Sequence, residues 1–156
     1  METASLSEIK KELKTLPPAQ LQEMTVRLAK FKKENKELLS YLLFDAFNQQ
    51  VFTQSVKEEI DEQFKNLNSS SFYLAKKTLR KVLRTTKKYI RFSGSKEVEI
   101  ELLIYFCLKM KKSGLKINSS RVVMNMYLNQ VRRVKQILSM LHEDIQMDFD
   151  EDLKKL

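Results

Sequence analysis

Glycine and proline are nearly missing from this 156-residue sequence, which has two of each. Turn-rich β architectures need such residues at every strand reversal, so a sandwich or barrel is excluded. The single cysteine, Cys107, rules out an intramolecular disulfide and a thiolate metal cluster, and it fits a reducing, cytoplasmic setting. Inside LLIYFCL it reads as a buried small hydrophobe. The single histidine, His142, lies in HEDIQ, where Gln146 occupies the place of the second zinc ligand of a metalloprotease helix. There is no Glu-x-x-His pair of the di-iron type. No glycine-rich phosphate loop is present, and DIQMDFDEDL lacks the glycine and the ligand order of a calcium loop. The longest apolar run is Leu102–Leu108, far short of the 18 or more residues that span a membrane. The opening METASLSEIKKEL is polar, without the apolar stretch of a secretory signal. No catalytic residue, metal or cofactor is expected, and neither is a membrane or a small-molecule substrate.

What is present favours helix. Lysine, leucine and glutamate dominate. The apolar spacing predicts an all-α chain of seven or eight helices in antiparallel pairs, as a helical bundle or a short, HEAT-like α-solenoid. One domain over 1–156 is expected, with 143–156 an acidic C-terminal helix or tail. Ser5 with Glu8 forms a capping-box pattern for a first helix reaching Leu16, and Pro17-Pro18 end it. A second helix starts at Pro18 and ends or turns near Asn35. Residues 36–48, with LLSYLLFDAF, predict a central helix buried on most sides. A fourth helix is expected over 50–67, with Val51, Phe52, Val56, Ile60 and Phe64 in register. A fifth covers 72–93 and is closed by Gly94. A sixth, over 96–112, should hold the densest core. A seventh should run to about His142, with Val122, Met126, Asn129 or Gln130, Val134, Ile137 and Leu141 inward.

The charge is unevenly placed. Net +9 overall separates into 17 Lys and Arg against 3 Glu from Leu67 to His142, and a net −5 over the rest. The stretch Ser71–Ser93, SFYLAKKTLRKVLRTTKKYIRFS, carries eight cations and no carboxylate. A solvated helix face normally mixes signs, because opposite charges one turn apart help by a few tenths of a kcal/mol and like charges cost as much. The residues Lys77, Arg80, Lys81, Arg84, Lys87, Lys88 and Arg91 therefore call for a partner outside their own helix. Arg132 and Arg133 are the cations of the seventh helix that would extend the face. Tyr73 and Tyr89 would add stacking if they point outward.

Two segments, KKELKTLPPAQLQEMTVRLAKFKKENKELLSYLLF and KYIRFSGSKEVEIELLIYF, resemble members of a small, uncharacterised bacterial family of all-helical proteins. The resemblance implies a helical fold and no particular activity. Two functions stay open. One is a non-enzymatic interaction or scaffold protein that binds a protein partner, or a second copy of itself, through helix surfaces. The other is binding of a polyanion, the nucleic-acid backbone, through the basic helix. Geometry discriminates between them: cations left open beside Arg132 and Arg133 favour the polyanion. Cations covered by the acidic tail, or paired with the carboxylates at Glu58–Glu62, are an internal charge arrangement.

Overall fold

The computed structural model describes residues 2–156, and these divide into two compact units that meet in sequence between Phe44 and Asp45. All regular structure among them is helical.

The first unit holds α1 (Leu6–Leu13), α2 (Pro18–Phe31) and α3 (Lys33–Ser40). Ser5 caps α1 with both bonds of a capping box: its hydroxyl accepts from the Glu8 N–H, and Glu8 accepts from the Ser5 N–H at 2.7 Å. Pro18 occupies the first turn of α2, where its missing N–H costs nothing. The break after α2 falls at Lys32, not at Asn35. Lys32 is extended (φ −142°, ψ 146°), and Asn35 lies within α3, donating Nδ2 to the Leu28 carbonyl at 2.9 Å. That bond satisfies one of the carbonyls left open at the end of α2.

A π-helical turn, Tyr41–Asp45, follows α3 and leads into the second unit. Here the expectation of a buried central helix fails. Only Tyr41 is buried, while Leu42, Leu43 and Phe44 are 56–66% exposed. A continuous apolar run points in every direction around a helical axis. It disappears from solvent only if neighbours surround it, and composition alone does not supply them.

The second unit holds α4 (Gln49–Lys65), α5 (Phe72–Ser93), α6 (Lys96–Lys112), α7 (Arg121–Leu138) and α8 (Glu143–Lys154). Side-chain caps start each of them: Asn48, Ser71, Ser95, Ser120 and His142 accept from backbone N–H groups of the first turn. Gly94 and Gly114 follow α5 and α6 with φ of 62° and 77°, the left-handed conformation that ends a helix without a Cβ clash. Helix α7 is shorter than expected. It stops at Leu138, and His142 caps α8 instead of ending α7.

Hydrogen bonds fix the helix directions. Tyr89 meets Glu59 and Thr85 meets Gln63, so α5 runs antiparallel to α4. Lys57 meets Glu101 and Asp61 meets Tyr105, so α6 runs parallel to α4. Glu99, in the first turn of α6, meets Arg133 in the second half of α7, so these two are antiparallel. The result is a helical bundle with α6 as its hub, packed against α4, α5 and α7. This is why the middle of α6 is apolar on most sides. Its buried residues include Ile100, Leu102, Leu103, Phe106, Cys107 and Met110, as the sequence led one to expect. Burial of each large side chain there contributes about 1.5–3 kcal/mol. Helix α8 returns along the bundle, with Phe149, Leu153 and Leu156 against the cluster of Ile100, Leu103, Ile104, Val134, Ile137 and Leu138.

Candidate polyanion-binding face

Helix α5 owes its orientation to its apolar side. Ala75, Leu79, Val82 and Thr86 are buried, with Leu83 and Ile90 half-buried against the α6–α7 cluster. Thr86 answers its own burial by donating Oγ1 to the Val82 carbonyl at 2.9 Å. At 100° per residue these positions force 73, 77, 80, 84, 87 and 91 to the opposite side. The outer stripe is therefore Tyr73, Lys77, Arg80, Arg84, Lys87 and Arg91, with Lys81 beside it, and every one of them is exposed. From Lys77 to Arg91 the stripe is about 21 Å long at 1.5 Å per residue.

None of Lys77, Arg80, Lys81, Arg84, Lys87 and Arg91 makes an ion pair or hydrogen bond among the described residues. The carboxylates of α4 are engaged elsewhere. Asp61 accepts from Tyr105 at 2.7 Å and pairs with Lys109 at 2.8 Å. Glu62 pairs with Lys65 in its own helix, and Glu59 accepts from the Tyr89 hydroxyl at 2.6 Å. Lys57 reaches Glu101 at 2.6 Å. In α8, Asp152 pairs with Lys155, and Asp144 lies 3.2 Å from His142. No carboxylate of α8 is bound to a cation of α5 among the described residues. Lys88 differs from its neighbours on α5. It is half-buried, with its ammonium 4.6 Å from the centre of the Tyr89 ring.

The two tyrosines separate. Tyr89 turns inward, edge-on to Phe52 and Phe92, with its hydroxyl on Glu59. Tyr73 is 75% exposed and begins the cationic stripe. At the other end, Lys87 and Arg91 line a cleft of about 420 Å³ between α5, α6 and α7, shared with Arg133, Glu99, Asn129 and Gln130. Arg133 is committed there: its Nε donates to Glu99 Oε1 at 2.7 Å. Burial pushes the Glu99 carboxyl up, but hydrogen bonds from Arg133 and Lys96, with their charges, outweigh it and hold its pKa below the ordinary range. The bond to Glu99 raises the pKa of Arg133 in turn. Arg132 is exposed outside the cleft, donating to Asn129 Oδ1 at 2.8 Å. The structure thus brings Arg133 to the end of the stripe that holds Lys87 and Arg91.

Cys107 is fully buried, and burial pushes its thiol up to about 12. No cluster of metal-ligating side chains occurs among the described residues, and none of their helices is long and apolar enough to cross a membrane. No family model, curated protein or solved structure matches this chain.

Proposed function

We propose that this chain is a non-enzymatic helical binding protein that engages the phosphate backbone of nucleic acid along the outer stripe of α5. The observation that carries this reading is the stripe itself: six exposed cations, without a carboxylate partner among the described residues, on a face fixed by the burial of the opposite one. Like charges one turn apart disfavour a helix, so a run of them that the fold leaves uncompensated is relieved when an anion arrives. Arg80, Arg84 and Arg91 offer paired N–H donors suited to phosphate oxygens. Lys77, Lys81 and Lys87 add point charges between them. Tyr73 supplies an aromatic face for an unstacked base, which favours a single strand over a duplex. Contacts of this kind position a strand without reading its sequence.

The test is fluorescence anisotropy of a labelled single strand and a labelled duplex, titrated with the chain and with a Lys77→Gln, Lys81→Gln, Arg84→Gln variant. Binding that weakens on substitution supports the reading, and no binding at low salt overturns it. A protein partner engaged through helix surfaces draws its support from a different place, the exposed apolar side chains of the first unit.

A further inference from the structure

The first unit lacks a core of its own. Its helices α1, α2 and α3 contain no buried residue, and Tyr41 in the π-turn is the only buried side chain among the described residues of the unit. Helix α1 has eight residues, well below the length of about 12–15 at which an isolated helix is even marginal in water. Its apolar stripe, Leu6, Ile9 and Leu13, is nevertheless exposed, Leu6 by 67%. Along α2 the same holds for Leu28, at 63%, and Phe31, at 77%. Such helices persist only when something apolar covers them.

We propose that this surface is a self-association interface and that its occupant is a second copy of the chain. Ten large apolar side chains of the unit are 36–77% exposed, with Val26 set aside because it lies on the far side of α2 from Met24, Leu28 and Phe31. At roughly 120 Å² of apolar surface per fully exposed side chain, they present on the order of 700 Å². Monomers ordinarily leave patches of only about 300–600 Å² open, whereas each partner of a stable interface contributes about 800 Å². The available area therefore matches one side of a dimer. Charge selects the occupant. Residues 1–44 carry eight Lys and Arg against six Glu, interspersed along all three helices. A surface of balanced, alternating sign meets its own copy without net repulsion, as a two-fold interface requires. The single-sign face of α5 would repel itself. This inference rests on the first unit alone and stands apart from the polyanion reading.

The test is the mass of the full chain by sedimentation and light scattering over a wide concentration range. The expected particle weighs twice the 18.5 kDa of one chain. A Leu28→Glu, Phe31→Glu variant, and independently a Leu6→Glu, Ile9→Glu variant, should raise the dissociation constant about a hundredfold or more while far-UV circular dichroism keeps its helical signal. A mass of one chain at every concentration overturns the proposal. So does a dimer that neither charged variant weakens, or one lost in the Lys77→Gln, Lys81→Gln, Arg84→Gln variant, which would place the interface on α5.

Discussion

Replacing Lys77, Lys81 and Arg84 by glutamine should change the salt dependence of binding by a calculable amount. The stripe from Lys77 to Arg91 is about 21 Å long, and one strand of a duplex sets a phosphate about every 3.4 Å along its axis, so about six phosphates pass over six cations. A straight helix cannot follow the curving backbone of a duplex over that whole length, and about half of those contacts form at once. A flexible single strand can conform to all of them. With slopes of about 0.9 and 0.7 per contact, log K against log salt should fall by about 2.7 for a duplex and about 4 for a single strand. Between about 50 and 200 mM salt this is a loss of roughly 40-fold and 300-fold respectively. The triple variant loses three contacts, so its single-strand slope should drop by about 2. Loss of fold cannot mimic that result. The substitutions remove repulsions within α5, such as Lys77 with Lys81 and Arg80 with Arg84, each costing about 0.2–0.5 kcal/mol. The variant should therefore melt no lower than its parent. A slope unchanged by the substitutions, with binding retained, would refute the assignment of the phosphate contacts to this stripe.

Other expectations concern the bundle. Ile60→Ala, at a fully buried position of α4, should cost about 2–5 kcal/mol in denaturant unfolding, whereas Val51→Ala on the same helix, at 64% exposure, should stay within about 0.5 kcal/mol. Cys107 should be silent toward a thiol reagent in the folded protein and react fully once denaturant is added, because burial both shields it and pushes its pKa to about 12. Glu99 has a folded pKa below its ordinary 4.5. Its contribution to stability is complete above that value and is lost as pH falls through the lowered one. Denaturant midpoints measured from neutral pH downward should therefore fall less steeply in Glu99→Gln than in the parent, and parallel profiles would exclude Glu99 as a source of acid sensitivity.

Helix boundaries were legible at several explicit caps, though not at His142, whose cap starts α8 where α7 was expected to end. Ser5 with Glu8, Pro18, Ser71, Gly94 and Ser95 each act locally, within one turn of their own position, so the residue type is enough. Lys32 carries no such mark, and the break expected near Asn35 falls three residues earlier. Two apolar runs looked alike in the sequence. The one in α6 became the hub because amphipathic helices on either side bring apolar faces to it, and the one at Leu42–Phe44 gained no such cover. The same limit applies to Val122, expected inward but exposed, while its neighbour Val123 is buried: 100° of rotation separates the two, and only the packing of α7 selects between them.

The outward direction of the basic stripe could be read from the spacing of Ala75, Leu79, Val82 and Thr86, but whether acid would cover it could not. That depended on where α8 docks, and two forces compete for the answer. Ion pairs between its carboxylates and the exposed cations of α5 would each contribute only about 0–1 kcal/mol, because both partners lie in water and lose side-chain freedom on pairing. Burying Phe149, Leu153 and Leu156 contributes more, since even half-burial of a large apolar side chain is worth about 1 kcal/mol or more and does not fade with salt. The apolar side of α8 therefore decides its place, on the cluster built by α6 and α7, and its carboxylates go where that packing leaves them. A similar ordering holds on α4, where the helix packing brings Asp61 to Lys109 and Tyr105 of α6 and, among the described residues, leaves no pair for Lys77, Arg80, Lys81, Arg84, Lys87 and Arg91. Charge pattern along a sequence states how much compensation a face needs, and apolar packing determines whether the chain itself can supply it.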